Sequence, residues 1–115
     1  MNVQSFAAEW IAAWNARDLE RILAHYAPDI ELVSPLARRL VPESGGTIRG
    51  LDALRSYWSR GLALNPDLRF ELVDALESVS GCTLVYHNHR RQLVAETLFF
   101  DEEGLVIRAS AAYSA

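Results

Sequence analysis

A stretch of two predicted strands, residues 93–113, limits most strongly how this chain can fold. Side chains on either side of Asp101-Glu102-Glu103-Gly104 suit two antiparallel strands joined by a turn at that point. The first strand is apolar on both faces, which predicts that both are covered. Glu96 breaks this pattern. Because a buried carboxylate is costly unless it is paired, hydrogen-bonded or protonated, Glu96 is the first candidate functional residue.

Length and composition predict one globular domain spanning residues 1–115. Hydrophobic residues make up 50% and charged residues 23% of the chain, and no apolar run approaches the roughly 20 residues of a membrane span. The net charge of −4 argues against nucleic acid as a partner. A lone cysteine, Cys82, and a start without a basic segment predict a cytoplasmic protein with no membrane partner.

Three helices are predicted in the first half of the chain. Apolar spacing predicts one over residues 3–16 with a tryptophan face turned inward, and a second from the N-cap Asp18 to Tyr26, stopped by Pro28. A short strand over residues 30–33 ends at Ser34-Pro35. The long segment 36–50 is predicted to be irregular, apart from a short strand at Thr47-Ile48, and to cover a pocket. The third helix begins at Leu51 and extends to Leu62.

The second half is predicted to be a four-strand antiparallel meander over residues 68–77, 83–89, 93–101 and 105–113. Helices followed by consecutive strands are typical of an α+β fold, in which the helices pack on one face of a curved antiparallel sheet.

Several segments carry a family resemblance. Residues 26–35, Ile48-Arg49-Gly50 and residues 57–62 resemble the first half of ketosteroid isomerases and SnoaL-like polyketide cyclases, and the segment from Phe100 to Tyr113 is similar to their last hairpin. The resemblance implies the nuclear transport factor 2-like (cystatin-like) fold, a cone-shaped curved antiparallel sheet wrapped around three N-terminal helices. It also implies a homodimer formed through the sheet and an apolar pocket. Fold alone does not fix the chemistry.

The resemblance also assigns catalytic roles to residues of this chain, and one of these residues cannot perform its assigned role. In ketosteroid isomerases, which are a standard example of pKa tuning, an aspartate base acts beside a tyrosine and a protonated aspartic acid. The resemblance places the protonated acid at Glu96, the tyrosine at Trp10 and the base at Ser34. Serine cannot take a proton from carbon unaided, so the usual steroid-isomerase mechanism is not expected.

The partner of Glu96 depends on the turn at Arg90-Arg91. A loop of two or four residues puts His87 and His89 on the face of Glu96, where His87 would form a proton-transfer pair with it. A loop of three residues instead turns Tyr86 and Asn88 inward. A structural alternative for Glu96 is a hydrogen bond to a helix or to Arg108. A metal site at His87 and His89 lacks a third ligand, so no metal and no cofactor are expected.

Two main hypotheses follow. The first is an isomerase or cyclase that acts on a small cyclic ketone or polyketide-like compound by acid/base catalysis. Its predicted catalytic residues are Glu96, His87 and Tyr26, and the predicted substrate-binding residues are Trp10, Trp14, Ser34, Tyr57, Trp58, Leu98 and Tyr113. The second is a non-catalytic module that binds a hydrophobic small molecule. A dehydratase using His and Tyr, similar to scytalone dehydratase, ranks third because the sequence does not place a second histidine at the site.

Overall fold

Four helices and six strands make up the computed structural model, which describes residues 2–115. The helices are α1 (Val3–Asn15), α2 (Leu19–Leu23), α3 (Pro35–Leu40) and α4 (Leu51–Leu64). The strands are β1 (Tyr26–Val33), β2 (Thr47–Arg49), β3 (Glu71–Glu77), β4 (Gly81–His87), β5 (Leu93–Phe100) and β6 (Val106–Tyr113). Across the described residues, each helix is too short or too polar to cross a membrane.

The strands form one curved, unclosed sheet in the order β2-β1-β6-β5-β4-β3. The predicted α+β class and the meander β3-β4-β5-β6 are confirmed, and every neighbouring pair is antiparallel except one. That exception is β1, which runs parallel to β6 with Glu31 opposite Arg108. The parallel pair joins the first half of the chain to the meander, so the helices lie against one continuous sheet.

The first two helices begin where polar side chains cap them. Asn2 accepts a hydrogen bond from the backbone N–H of Ser5 at 2.9 Å, and Asp18 accepts one from that of Arg21 at 3.2 Å, as predicted for Asp18. Helix α1 buries Trp10 and Trp14 against the sheet. Its tryptophan face is therefore turned inward, as the spacing predicts.

Two predictions for the first half are wrong. The second helix ends at Leu23, and Tyr26 instead begins β1, in which Pro28 lies at a shift of register. The segment predicted to be irregular contains α3 and a 3₁₀ turn at Pro42–Ser44 before β2. Ser34 starts α3, because its hydroxyl accepts a hydrogen bond from the N–H of Leu36 at 3.2 Å and Pro35 suits the first helical turn.

The hairpin between β4 and β5 closes with a hydrogen bond from the Asn88 N–H to the Gln92 carbonyl oxygen at 3.1 Å. This leaves a three-residue loop, His89 to Arg91, which decides the orientation of β4. Arg91 adopts a left-handed backbone with φ of 63°, and the side-chain oxygen of Asn88 accepts hydrogen bonds from the N–H groups of Arg90 and Gln92, both at 3.0 Å. Leu84 consequently lies opposite Glu96, and Tyr86 lies opposite Val94. Tyr86 therefore shares the concave face of the sheet with Glu96.

Candidate functional site

A cavity of about 320 Å³ lies between the helices and the concave face of the sheet. Its walls come from α1, α3, α4, the loop between β4 and β5, and the strands β4, β5 and β6. Seven of the predicted site residues line it: Trp10, Trp14, Ser34, Tyr57, Trp58, Glu96 and Tyr113. The volume is at the lower end of the range for small-molecule pockets, which suits a ligand of one or two fused rings.

Glu96 is the buried acid of this cavity. Its exposed fraction is 6%, and its Oε1 accepts a hydrogen bond from the Tyr86 hydroxyl at 2.8 Å. Burial raises the pKa of Glu96 to about 7, because the charged form loses its hydration, while the hydrogen bond from Tyr86 opposes the rise. A carboxyl with this pKa can accept or release a proton near neutral pH.

Three further tyrosines lie around this carboxyl. Burial raises the pKa of Tyr26, Tyr57 and Tyr113, and the negative charge of Glu96 raises each of them further. The Ser34 hydroxyl lies close to Tyr57 and Tyr113 and partly offsets the rise for both. These phenols therefore stay protonated at neutral pH, and those that line the cavity can donate hydrogen bonds to a ligand oxygen.

Trp10 and Tyr26 form a pair beneath the cavity wall. The Trp10 indole N–H donates to the Tyr26 hydroxyl oxygen at 2.9 Å, and both side chains are buried. Tyr26 lies outside the cavity lining and packs edge-on against Trp58 at 5.0 Å between ring centroids. Its position supports Trp10 and Trp58 rather than presenting its hydroxyl to the cavity.

The placement of His87 beside Glu96, which a loop of two or four residues predicts, is wrong, and the structure has the three-residue alternative. His87 is exposed on the convex face of the sheet, opposite Leu93. The three-residue loop shifts the pairing by one residue relative to a loop of two or four, and such a shift moves every side chain of a strand to the other face. Tyr86 takes the place that was predicted for His87.

Three other expectations about β5 and its neighbours differ from the structure. Leu98 is fully buried on the concave face but lies outside the cavity lining. The convex face of β5 is only partly covered, with Leu93 43% exposed, although both faces were predicted to be covered. Arg108 does not pair with Glu96, since its guanidinium lies over the Phe99 ring at 5.5 Å from the centroid.

The rim of the cavity is polar and carries positive charge. Arg39 from α3 and Arg90 from the β4–β5 loop line it and are exposed. Arg90 donates a hydrogen bond to Asn65 Oδ1 at 3.2 Å, and His89 Nε2 lies 3.3 Å from the same oxygen. Within residues 2–115, no group of three His, Cys, Asp or Glu side chains is placed to hold a metal ion.

Tyr86 is the main site residue that the predicted set lacks. The alternation of Cys82, Leu84 and Tyr86 with the more polar Thr83 and His87 points to its inward position. Asn88 at the start of the turn also favours a side-chain-capped loop. Both indications are present in the sequence, but the residues Arg90-Arg91 do not by themselves determine the length of the loop between β4 and β5.

Comparison with protein families gives one clear result. The family model described as the SnoaL-like domain matches residues 7–111. No curated protein matches this sequence significantly. Among solved structures, a SnoaL-like protein of unknown function from Burkholderia thailandensis is 36% identical with a TM-score of 0.94, and the match covers 98% of this chain and 94% of that one.

More distant structures share the fold. A suggested isomerase of the SnoaL-like family from Agrobacterium tumefaciens is 15% identical with a TM-score of 0.77, covering 98% of this chain and 97% of that one. TerC, which was crystallised with polyporic acid, is 17% identical with a TM-score of 0.78, covering 98% of this chain and 92% of that one. At these identities the likeness concerns architecture and not chemistry.

Proposed function

This chain belongs to the SnoaL-like domain family, and within that family we propose that it is an acid/base catalyst, an isomerase or cyclase acting on a small cyclic ketone or polyketide-like compound. The observation that carries the proposal is Glu96, a carboxyl of pKa about 7 in the wall of an aromatic cavity. Relatives of the same fold include a suggested isomerase and a protein crystallised with polyporic acid.

The proposed step is a proton transfer beside a carbonyl group. The Glu96 carboxylate takes a proton from the carbon next to the carbonyl. The electron pair of that C–H bond forms a carbon–carbon double bond, and the π electrons of the C=O bond move to the carbonyl oxygen. Tyr113 and Tyr57, whose hydroxyls lie near Glu96 and line the cavity, donate hydrogen bonds to the developing oxyanion. In a ketone with a C=C bond next to that carbon, the protonated Glu96 then returns the proton to the far carbon of the conjugated enolate while the oxyanion re-forms the C=O bond, so the isomerisation needs no co-reactant.

Tyr86 is a positioning residue in this scheme. Its hydroxyl holds Oε1 of Glu96 at 2.8 Å and leaves the second carboxylate oxygen for the substrate. Ser34 is not the base in this scheme, because a serine hydroxyl cannot take a proton from carbon unaided; its oxygen instead accepts a hydrogen bond from the N–H of Leu36. The scheme therefore differs from that of ketosteroid isomerases in using a single carboxyl.

Hydrogen–deuterium exchange tests the proposal without knowledge of the natural substrate. We expect the protein to catalyse exchange of the acidic CH₂ protons of 2-tetralone in D₂O, followed by NMR. The Glu96→Gln variant is expected to lose about 100-fold or more of that activity. Glu71→Gln is the matched control, since Glu71 is exposed on β3 opposite His87. Equal exchange by wild type and Glu96→Gln would contradict the proposal.

A non-catalytic binding module is the second candidate. Ser34 favours it, because the position that the resemblance assigns to the base holds a hydroxyl used to cap α3. In this case ring compounds bind in the cavity and the protein accelerates no exchange. A dehydratase that uses His and Tyr remains the third candidate, because His87 is exposed outside the cavity and only His89 contributes a histidine to the lining among the described residues.

A homodimer through the convex face of the sheet is part of the proposal. Leu76 and Leu93 are 50% and 43% exposed, and both lie on that face, opposite Thr83 and His87 respectively. They lie near opposite ends of this face, and a contact between two copies that covers the face would remove both from water. Light scattering after size exclusion would give twice the mass of the 12.9 kDa chain, and Leu93→Asp would shift the protein towards a monomer.

A further inference from the structure

Charge is unevenly distributed around the cavity. Among the residues that the structure describes, Glu96 is the one acidic side chain of the lining, and its pKa of about 7 leaves it only partly charged near neutral pH. Two guanidinium groups, those of Arg39 and Arg90, belong to the same lining. A ligand in the cavity therefore meets more positive than negative charge.

Arg39 belongs to the cavity lining. Its side chain forms no ion pair with an acidic residue in the described part of the chain. Burial raises the pKa of Tyr57 and Tyr113, and the positive charge of Arg39 opposes that rise for both. The guanidinium is thus close enough to these cavity-lining phenols to act on a ligand beside them.

Arg90 is also free of ion pairs among residues 2–115, and its hydrogen bond goes to the neutral amide oxygen of Asn65. It comes from the loop between β4 and β5, whereas Arg39 comes from α3. Two separate elements therefore each bring an uncompensated cation to one cavity. Arginine is well suited to a planar carboxylate, because its N–H groups can donate two parallel hydrogen bonds.

A buried donor in the wall points to the same kind of ligand. Trp14 is 6% exposed and lines the cavity, and its indole N–H has no acceptor within residues 2–115. His89 Nδ1, in a side chain that is 14% exposed, likewise lacks a partner in the described chain. Buried polar atoms usually have a hydrogen-bond partner. The Trp14 indole N–H would gain one if a ligand in the cavity placed an acceptor oxygen beside it.

From this arrangement we propose that the natural ligand is an oxygen-rich ring compound bearing a carboxylate or an equally acidic enol. Its negative charge lies at the rim, where Arg39 and Arg90 supply positive charge, and a second oxygen accepts the Trp14 indole N–H. The inference rests on the proposed function for the location of the site, and it adds the charge and polarity of the substrate.

Matched probes test the charge preference. Isothermal titration would compare 2-naphthoate with 2-naphthamide, which have nearly the same shape but differ in charge. We expect wild type to bind 2-naphthoate about tenfold more tightly at neutral pH. Arg39→Gln and Arg90→Gln are each expected to reduce this preference about threefold to fivefold, the range for partly exposed charge pairs.

Neighbouring arginines provide the controls. Arg38→Gln and Arg91→Gln change the net charge by the same amount as the test variants, but both side chains lie outside the cavity lining and are exposed. They are expected to leave the preference unchanged. A separate readout is the indole N–H resonance of Trp14, assigned with Trp14→Phe, which is expected to move downfield when 2-naphthoate binds.

The inference is overturned if 2-naphthamide binds as tightly as 2-naphthoate, if the control variants lower the preference as much as the test variants, or if neither probe binds. These outcomes are distinct from failure of the proposed function. Exchange of 2-tetralone protons that depends on Glu96 would persist in the first two cases, because 2-tetralone is neutral.

Discussion

Two glutamates, one in the cavity and one on the outer surface of α1, show how this fold gives the same side chain opposite properties. Glu96 is buried, and burial raises its pKa to about 7. Glu9 is partly exposed and binds the Arg21 guanidinium through both oxygens, at 2.6 and 2.8 Å, which lowers its pKa. The first carboxyl retains its proton towards neutral pH, whereas the second is ionised.

The difference lies in what replaces water around the carboxylate. Glu9 loses little hydration and gains a cation, so its charged form is stabilised. Glu96 loses its hydration and gains only one neutral hydrogen bond, from Tyr86. A proton held near pH 7 is useful for catalysis, and a surface ion pair is not. The proposed chemistry therefore depends on the burial of Glu96, and the comparison can be tested at both sites.

The largest effect is expected when the free energies of unfolding of wild type and Glu96→Gln are compared as a function of pH. The folded state holds the Glu96 proton more tightly than the unfolded state does, so the contribution of this group is fully present below pH 4.5 and is lost as the pH rises through about 7. A glutamine does not titrate. The free energy of unfolding of wild type should thus fall by about 3 kcal/mol relative to the variant between pH 4.5 and 8.

Urea denaturation at a series of pH values measures this difference. Other carboxyls titrate in both proteins and cancel when the two curves are subtracted. Two curves that stay parallel between pH 4.5 and 8 would show that Glu96 has an ordinary pKa, and the contrast with Glu9 would disappear.

The next largest effect is expected on the pKa of Glu96 when its hydrogen bond from Tyr86 is removed. Tyr86→Phe deletes the donor that stabilises the carboxylate, so the pKa of Glu96 should rise above 7 by about one unit. Titration of the ¹³C-labelled carboxyl by NMR gives the value directly. Tyr113→Phe serves as the control, because Tyr113 donates no hydrogen bond to Glu96; a drop in the pKa in Tyr86→Phe would refute the assigned role.

The surface site should respond weakly and with the opposite sign. The pKa of Glu9 is lowered, so its contribution to stability is present above pH 4.5 and is lost as the pH falls. Because the pair with Arg21 is exposed, Glu9→Gln is expected to change stability by an amount close to the detection limit of the same denaturation series. A loss as large as that expected at Glu96 would mean that burial is not the deciding factor.

The smallest effect is expected for His87→Ala. His87 is exposed on the convex face, directly after the buried Tyr86 in sequence. Neither the pKa of Glu96 nor the exchange of 2-tetralone protons should change in this variant. A loss of exchange activity would reinstate His87 as a partner of Glu96 and would contradict the three-residue loop.

Much of the fold could be predicted because it depends on local patterns. The spacing of Trp10 and Trp14 indicates α1, Asp18 marks the start of α2, and alternating residues indicate the meander. Ser34-Pro35 carries a local indication of α3 as well, a capping residue followed by proline, but the prediction assigns these residues only to the end of a strand. That error came from assigning one role to residues that serve as both strand end and helix cap.

The parallel pairing of β1 with β6 had no comparable local indication. It joins Tyr26 to Val106, residues far apart in the chain, and such pairing depends on how the helices place β1 at the edge of the meander. Hydrophobic patterns show which face of a strand is buried but not which strand lies beside it.

The sequence by itself determined that Glu96 is buried in an apolar strand, because the alternation of side chains along a strand is a local property of the backbone. Burial of the carboxyl in turn predicts a raised pKa. Only the tertiary structure decided which side chain meets it. The three-residue loop sets the register of β4 against β5 and brings Tyr86, not His87, to the carboxyl. The approach of α3 and the β4–β5 loop to one cavity, with Arg39 and Arg90, is likewise a matter of packing between distant segments.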